Sequence, residues 1–284
     1  MAAVTGGGSG IGEALCLALA GEGMRVAVLD VHAERAESVA GRIGGRAHPY
    51  TIDVTDREAL ENLAARMEQD LGPVNLLCAN AGVVMPFGSV IDRDEADWRY
   101  VLSVNLFGVI HTVDAFIEQL RTNAGNAHVM VTASMGGLVV GGHIPLGPYT
   151  VSKYACVGYC EDLRAALTPE RIGVSVLAPG VVATEIMHNS SETRPGALGS
   201  QPAPPRDRGY VTPRLAAQAV TPAQSAEAAL AGIRDARFYI PTHIDAADRL
   251  KRHYDAIVDE MAGQGHPAGL DGYKDSANPG DAAL

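Results

Sequence analysis

Two residues suited to proton transfer, Tyr149 and Lys153, lie four positions apart in the segment GPYTVSKYACVGY. Positions i and i+4 share one face of a helix, so the two side chains can meet. A free tyrosine has a pKa of about 10, and a neighbouring ammonium stabilises the phenolate and lowers that pKa. The pair therefore predicts a tyrosine that serves as general base or general acid at an alcohol or ketone oxygen.

Lysine is rare in this chain, which makes Lys153 more informative than the spacing alone. Of the 22 basic residues three are lysine, namely Lys153, Lys251 and Lys274, and the other 19 are arginine. A lone lysine in an apolar segment of such a chain suggests a place where a compact ammonium fits and a planar guanidinium does not. The alternative, a surface lysine left by chance, fits the apolar neighbours less well.

A glycine-rich turn, TGGGSGIG over residues 5–12, stands between the first apolar run and the first helical segment. In a doubly wound fold this position binds a pyrophosphate, because glycines allow close backbone approach and the helix N-terminus offers free N–H groups. The spacing is GxxxGxG, not GxGxxG. The residues predicted to contact a cofactor here are Gly6, Ser9, Gly10, Ile11 and Gly12.

Asp30 ends the second apolar run, 18 residues after Gly12. An acidic residue at about this distance can accept hydrogen bonds from the adenosine ribose hydroxyls and would repel a 2′-phosphate. Lysine and arginine are absent from the turn, and Val31 follows Asp30. These features favour NAD over NADP as the cofactor.

The elements that would position these residues alternate between short apolar runs and longer amphipathic stretches. Near-continuous apolar strands alternating with helices indicate a parallel sheet covered on both faces, and right-handed crossovers make it doubly wound. The sequence thus predicts an α/β Rossmann fold of three layers. Strands are predicted at 2–5, 25–30, 47–52, 75–79, 127–133 and 173–178, helices at 11–20, 33–43, 56–70, 95–121 (interrupted near Asn105) and 149–167, a further helix and strand within 222–240, and a helix around 245–261.

The composition changes after residue 179. Residues 190–213 are rich in proline, glycine and polar side chains, and a break of this length in a compact domain is usually functional or disordered. We expect a substrate lid over about 185–213 within a single domain of residues 1–262. Residues 263–284 then form a C-terminal tail.

The charge balance excludes several classes of function. The 22 basic and 33 acidic residues give a net charge of −11 with no basic block, which argues against a nucleic acid or an anionic membrane as partner. The sequence shows no apolar run of membrane-spanning length and no secretory signal. The four cysteines lack disulfide spacing and the nine histidines lack ligand spacing, so we expect reduced thiols, no metal and a cytoplasmic location.

Together these motifs resemble those of the short-chain dehydrogenase/reductase family over roughly residues 2–240. TGGGSGIG is similar to the family's TGxxxGxG turn, and Tyr149 with Lys153 to its YxxxK pair. Five further segments match in order along the chain. They are Asp53-Val54 near the adenine ring, Asn80-Ala81-Gly82 after the fourth strand, Asn105 within a helix, Ser134 at the end of the fifth strand, and Pro179-Gly180 with Val182 and Thr184 near the nicotinamide carboxamide.

The resemblance implies a catalytic role for four residues. Tyr149 would exchange the proton with the substrate oxygen, and Ser134 would hydrogen-bond that oxygen. Lys153 would bind the nicotinamide ribose and lower the tyrosine pKa, and Asn105 would hold a water in a proton relay. The interval from Ser134 to Tyr149 is 15 residues where the family usually has 13. Strict counting selects Gly136, which has no side chain, so Ser134 is preferred.

The resemblance further implies an NAD-dependent short-chain alcohol dehydrogenase or ketone reductase that binds a small-molecule substrate and assembles as a dimer or tetramer. Apolar side chains in the lid and in 138–148 suggest a bulky apolar secondary alcohol. The lid and the FYIPTH segment resemble members that oxidise benzylic alcohols of lignin-type aryl ethers, and a steroid-like or cyclic alcohol is equally open. Two alternatives also stay open: a non-catalytic NAD-binding sensor or scaffold, and a lyase or epimerase with tightly held NAD.

Overall fold

Seven parallel strands form one sheet in the computed structural model, which describes residues 1–86, 88–139, 145–199, 217–243 and 247–263. The strands are β1 (Ala2–Thr5), β2 (Val26–Asp30), β3 (Ala47–Thr51), β4 (Leu76–Ala79), β5 (Ala127–Thr132), β6 (Ile172–Ala178) and β7 (Tyr239–Pro241). Their order across the sheet is β3-β2-β1-β4-β5-β6-β7, and neighbouring strands run parallel. The predicted doubly wound α/β fold is confirmed.

Helices connect and cover these strands. Within the described residues they are α1 (Gly10–Gly21), α2 (Ala33–Ile43), α3 (Arg57–Leu71), α4 (Glu95–Leu102), α5 (Gly108–Thr122), α6 (Pro148–Leu167), α7 (Ile186–Thr193), α8 (Pro222–Arg234) and α9 (Ala247–Gly263). Helix α1 packs against α2 and α8, whereas α3 packs against α5 and α4 against α6. The two groups form the outer layers of a three-layer arrangement.

Alternation along the central strands shows that both faces of the sheet are covered. Val4 of β1 and Val28 of β2 belong to the core that the side chains of α1, α2 and α8 complete. Ala3, Ala27 and Leu77, which point to the other face, are also fully buried. Successive residues of a strand face opposite sides, so a sheet buried on both faces reads as a continuous apolar run.

The order of the strands reverses between β1 and β4, which are neighbours in the sheet. Val4 of β1 stands opposite Val28 of β2 on one side and Cys78 of β4 on the other. In an open α/β sheet, ligands bind beyond the carboxyl ends of the strands at such a reversal. The glycine turn follows β1 at this position, so the fold brings the predicted site to the reversal.

The helix and strand predictions agree closely with the structure. Helix α2 spans the predicted residues 33–43, and α3 begins where Asp56 caps it, since the Asp56 carboxylate accepts the N–H of Ala59 at 2.9 Å. The predicted interruption near Asn105 is a π-helical turn, Ser103–Phe107, between α4 and α5. Such turns are uncommon and frequently lie at functional sites.

One helix lies where the sequence predicted only a break. Helix α7 covers Ile186–Thr193 and is followed by a short 3₁₀ turn, Gly196–Leu198. Its polar composition resembles a loop, because residues such as Asn, Ser and Thr have low helix propensity. Residues 200–213, the remainder of the predicted lid, lie outside the described residues.

Contacts along the chain group it into two units, Met1–His243 and Ile244–Leu284. The first unit contains the seven-stranded sheet and helices α1 to α8. The second contains helix α9, a 17-residue helix. The predicted domain of residues 1–262 with a tail at 263–284 stays a prediction.

Among the described helices, the stretch Glu95–Thr122 is long and apolar enough to cross a membrane by length and composition. Within the fold, α4 packs against α6 and α5 packs against α3. About 44% of the most apolar part of Glu95–Thr122 is buried. A core helix passes the same test, so one such helix is weak evidence for a membrane span. The expectation that the chain has no membrane partner stays a prediction.

His128 on β5 gives the fold a predicted acid sensitivity. Its Nε2–H donates to Ser175 Oγ at 2.8 Å, since the Ser175 hydroxyl itself donates to the Arg237 carbonyl. Burial lowers the pKa of His128 to about 4. The unfolded chain, with a histidine pKa of about 6.5, binds the proton more readily, so the stabilisation is present above that value and is lost as the pH falls. We expect about 2 kcal/mol less unfolding free energy from this residue at pH 5 than at pH 7.

Denaturant unfolding of His128→Asn at both pH values measures this contribution. The difference between pH 7 and pH 5 should shrink in this variant and stay unchanged in His48→Asn, a change of the same type on the edge strand β3. An equal pH dependence in the wild type and His128→Asn would contradict the assignment.

Candidate active site

The glycine turn is folded tightly against the start of α1. Gly6 and Gly10 have positive φ angles of +63° and +53°, a conformation that favours glycine. A methyl group added at Gly12 would lie 2.0 Å from the carbonyl oxygen of Gly6, so only glycine fits there. Ser9 precedes α1 without a capping hydrogen bond from its side chain. The turn therefore leaves the N–H groups at the start of α1 without a side-chain cap, as a site for an anion needs.

Side-chain hydrogen bonds tie the ends of β1, β4 and β5 together beside this turn. Thr5 Oγ1 accepts the N–H groups of Asn80 and Ala81 at 3.0 and 3.1 Å, and the Asn80 amide donates to the Thr5 carbonyl at 3.0 Å. Thr132 Oγ1 donates to Asn80 Oδ1 at 3.0 Å. Asn80 and Ala81 thus connect the carboxyl ends of β1, β4 and β5 next to the glycine turn. Thr5, the first residue of the TGxxxGxG motif, is therefore an anchoring residue that was not predicted as part of the site.

Asp30 lies at the end of β2, as predicted, and is 7% exposed. Its carboxylate accepts the N–H of Gly8 at 2.9 Å and that of His32 at 3.0 Å. These bonds hold the carboxylate next to the glycine turn. A carboxylate at this position is suited to accepting hydrogen bonds from ribose hydroxyls.

The predicted adenine-side residues, Asp53 and Val54, follow β3. Asp53 is exposed, and its carboxylate accepts the N–H and hydroxyl of Thr55 at 2.9 and 2.8 Å. Val54 is buried against Gly108, where an added methyl group would lie 2.6 Å from Val54 Cγ2. The contact fixes the chain after β3 on α5.

Lys153 is buried on α6 with an exposure of 3%. Its ammonium donates to the carbonyl of Thr132 at 2.8 Å and lies 5.7 Å from the ring centroid of Tyr149. A methyl group added at Gly82 would lie 3.4 Å from Lys153 Nζ, so the NAG segment borders the ammonium. The predicted pairing of Tyr149 and Lys153 on one helix face is present. One of three N–H donors meets a protein acceptor among the described residues, which leaves two to bind a ligand.

Asn105 is fully buried in the π-helical turn. Its amide accepts the N–H of Val83 at 2.7 Å and donates to the Val83 carbonyl at 2.9 Å and to Ser152 Oγ at 3.0 Å. Its backbone carbonyl accepts the thiol of Cys156 at 2.9 Å. The side chain therefore holds the segment after β4 against α6. The role in a proton relay that the resemblance implied stays a prediction.

Ser134 lies two residues after the end of β5 and caps a 3₁₀ turn, Met135–Gly137. Its Oγ accepts the N–H of Gly136 at 3.0 Å and donates to the Pro179 carbonyl at 3.4 Å. A methyl group added at Gly137 would lie 2.4 Å from the carbonyl oxygen of Lys153, so this turn packs directly on α6. Tyr149, half-buried at the second position of α6, shares that helix. Gly136, the position that the usual family spacing selects, has no side chain that could bind a substrate oxygen.

The segment after β6 continues the edge of the site. Gly180 N–H is near Thr242 Oγ1 and His243 Nδ1, both at 3.2 Å, and Val182 forms a bridge with Val220. A methyl group added at Gly10 would lie 3.1 Å from Thr184 Cγ2, so Thr184 borders the glycine turn. The predicted residues of this segment thus lie along the same edge of the sheet as the turn.

Helix α7 extends over the glycine turn. Asn189 Nδ2 donates to Ser9 Oγ at 3.2 Å, and Ser190 Oγ accepts the N–H of Val84 at 2.9 Å. Arg194 forms an ion pair with Asp97 at 2.9 Å, and both side chains are nearly buried. These contacts hold α7 against the turn, the NAG segment and α4. Residues 185–199, the described part of the predicted lid, thus lie next to the glycine turn. Their function as a lid stays a prediction.

The four cysteines, Cys16, Cys78, Cys156 and Cys160, are free and buried. Burial raises the pKa of Cys78 to about 12, which keeps the thiol protonated. In the described ranges, no group of three or more His, Cys, Asp or Glu side chains could hold a metal ion. The expectation of a metal-free protein stays a prediction.

The residues of this edge fit a nicotinamide dinucleotide. The uncapped start of α1 suits a pyrophosphate, Asp30 suits ribose hydroxyls, and the ammonium of Lys153 has donors to spare next to Tyr149. The family model described as short chain dehydrogenase matches residues 1–195. This is more than half of the chain, which therefore belongs to the short-chain dehydrogenase family. The predicted family is confirmed.

Particular relatives cover nearly the whole chain. A C alpha-dehydrogenase of Sphingobium sp. is 29% identical over 266 residues, 92% of this chain and 86% of that protein. A 1-deoxy-11-beta-hydroxypentalenate dehydrogenase of Streptomyces avermitilis is 32% identical over 270 residues, 92% and 91%. A short-chain dehydrogenase/reductase of Burkholderia phymatum, solved in complex with NAD, superposes with a TM-score of 0.80 at 29% identity over 91% of this chain and 94% of that chain. These likenesses support the oxidoreductase class.

Proposed function

We propose that this protein is an NAD-dependent dehydrogenase that interconverts a secondary alcohol and a ketone. The observation that carries the proposal is the buried ammonium of Lys153, which lies 5.7 Å from the Tyr149 ring at the carboxyl edge of the sheet. A tyrosine beside such a cation is suited to exchanging a proton with an alcohol or ketone oxygen. The bound nicotinamide supplies the hydride acceptor or donor.

Each catalytic residue has a distinct task in this proposal. Tyr149 takes the hydroxyl proton during oxidation and returns it during reduction. Ser134 hydrogen-bonds the substrate oxygen and orients it toward Tyr149, with its hydroxyl hydrogen turning to the substrate from the Pro179 carbonyl, a long contact of 3.4 Å. Lys153 binds the nicotinamide ribose and stabilises the phenolate, and Asn105 supports the route by which a proton reaches solvent.

NAD is the proposed cofactor because Asp30 stands at the ribose position. Its carboxylate is fixed by two backbone N–H groups and accepts hydrogen bonds from hydroxyls, whereas a 2′-phosphate would meet like charge. The Burkholderia phymatum relative was solved with NAD bound. The cofactor residues of this proposal are the ones predicted from the sequence.

The substrate proposed is a bulky apolar alcohol, aryl-bearing or cyclic. Apolar side chains are frequent in the predicted lid and in residues 138–148, and an apolar lining of a site favours apolar ligands. The Streptomyces avermitilis relative is named for the hydroxylated compound that it dehydrogenates. We further propose a homo-oligomer, because Phe107 and Val151 expose apolar side chains on neighbouring helical segments. The four free cysteines support the proposed cytoplasmic location.

The test is a panel of secondary alcohols, from 2-propanol to aryl and polycyclic alcohols, assayed with NAD and with NADP by absorbance of the reduced nicotinamide. We expect stoichiometric NADH formation, with the highest kcat/KM for a bulky apolar alcohol and a clear preference for NAD. NADH binding without turnover on any alcohol or ketone would point to the sensor class. Turnover without net NADH would point to a lyase or epimerase.

A further inference from the structure

An arginine lies beside Asp30 that the spacing of the sequence does not reveal. A methyl group added at Gly8 would lie 2.7 Å from Arg35 Cβ and 2.8 Å from Asp30 Oδ2. Arg35, on the first turn of α2, therefore stands next to the carboxylate at the end of β2. The glycine turn itself contains neither lysine nor arginine, so Arg35 is the cation brought to this position by the fold.

Two residues with opposite consequences for cofactor choice thus lie together. A carboxylate at the end of β2 favours NAD through the ribose hydroxyls, and an arginine nearby accommodates the 2′-phosphate of NADP. Arginine also forms the bidentate contacts that phosphate recognition uses. Asp30 alone does not explain a preference for NAD while Arg35 is adjacent.

The guanidinium of Arg35 is engaged by a carboxylate from helix α7. Arg35 Nη2 lies 2.6 Å from Glu192 Oε2, and the two side chains are 25% and 36% exposed. His188, one turn earlier on α7, lies 3.0 Å from the other Glu192 oxygen. The contact joins residues 157 positions apart, and Asn189 of the same helix reaches Ser9. Glu192 is thus positioned by the docking of α7 on the glycine turn.

We propose that Glu192 is a specificity-determining residue, which holds Arg35 away from a 2′-phosphate. The inference rests on the proposed NAD-dependent function and deepens it. Neutralising Glu192 frees the guanidinium to contact the phosphate. NAD carries a hydroxyl at that position, so its binding does not depend on this charge.

The size of the effect follows from the exposure of the pair. Ion pairs that are partly exposed contribute up to about 1 kcal/mol, which corresponds to roughly a five-fold change in affinity. A freed arginine that contacts a phosphate adds a charge-assisted hydrogen bond. We therefore expect Glu192→Gln to lower the Kd of NADPH roughly 5- to 10-fold and to leave the Kd of NADH nearly unchanged.

The measurement is equilibrium titration of NADH and NADPH, followed by nicotinamide fluorescence without substrate, so that binding is measured apart from turnover. Glu34→Gln is the matched control, because it removes the same charge from the first turn of α2 at a side chain that is 78% exposed. It should not change NADPH affinity. The double variant Arg35→Ala/Glu192→Gln should bind NADPH as weakly as the wild type, because the cation is gone.

The outcomes separate this inference from the proposed function. Unchanged NADPH affinity in a folded Glu192→Gln variant, an equal gain in Glu34→Gln, or a gain that persists in the double variant would overturn the role of Glu192 while leaving NAD dependence intact. Failure of the wild type to bind either dinucleotide would overturn both. Circular dichroism verifies folding, and Glu192→Ala provides a second neutral variant with the same expected direction.

Discussion

Tyr149→Phe is expected to lower kcat about 10³-fold, the range that a positioned general acid–base group contributes. The change removes one oxygen and leaves the ring that faces Lys153, whose ammonium keeps its bond to the Thr132 carbonyl at 2.8 Å. NADH affinity should therefore stay close to the wild-type value. Steady-state kinetics with the best alcohol of the panel, together with NADH titration, measures both quantities.

Tyr159→Phe is the matched control for this variant. Tyr159 lies on the same helix, α6, and burial raises its pKa, which suits a protonated structural tyrosine. Its substitution should leave kcat nearly unchanged. Wild-type turnover in Tyr149→Phe, or an equal loss in Tyr159→Phe, would reject Tyr149 as the proton-transfer residue.

Lys153→Arg is expected to lower kcat about 10²-fold and to weaken NADH binding as well, because arginine and lysine are not interchangeable at a confined site. The ammonium lies between the Thr132 carbonyl and the Gly82 backbone, and Gly137 packs on the Lys153 carbonyl. A planar guanidinium is larger and needs more room than this arrangement leaves. A pH profile of kcat and an NADH titration report the two effects.

Lys251→Arg provides the same change at an exposed place. Lys251 is 71% exposed and pairs with Asp255 on its own helix, α9, so either cation serves there. Its variant should match the wild type in both kcat and NADH affinity. A fully active Lys153→Arg enzyme would show that this position does not require lysine and would reject the proposed role of Lys153.

Local signals in the sequence predicted most of the fold. Asp56 caps α3 through a hydrogen bond from the N–H of Ala59, three residues later. Such a cap depends on neighbouring residues alone and can therefore be predicted from a local pattern. The interruption at Asn105 was also predicted, and the structure shows that it is a π-helical turn. In this turn the side-chain amide of Asn105 hydrogen-bonds Val83 and Ser152. Elements defined within a few residues of chain are the ones that sequence patterns describe well.

The features that were not predicted depend on contacts between distant residues. Helix α7 consists largely of polar residues and forms where Ser9, Val84 and Arg35 bind it from other elements. The Arg35–Glu192 pair joins positions 157 residues apart, which no local pattern indicates. Tertiary contacts override the low helix propensity of this segment. The functional roles of the candidate site's residues therefore stay a prediction, and the part of its surroundings that α7 forms was not indicated by the sequence.

The position of Lys153 has a consequence for how the site meets its ligand. In the part of the chain that the structure describes, no carboxylate forms an ion pair with this buried ammonium. Removing a charge from water without a counter-ion is unfavourable, and the chain meets that cost when it folds. A ligand that arrives finds the cation already buried and oriented by the Thr132 carbonyl. A site organised in this way needs little rearrangement when its ligand binds.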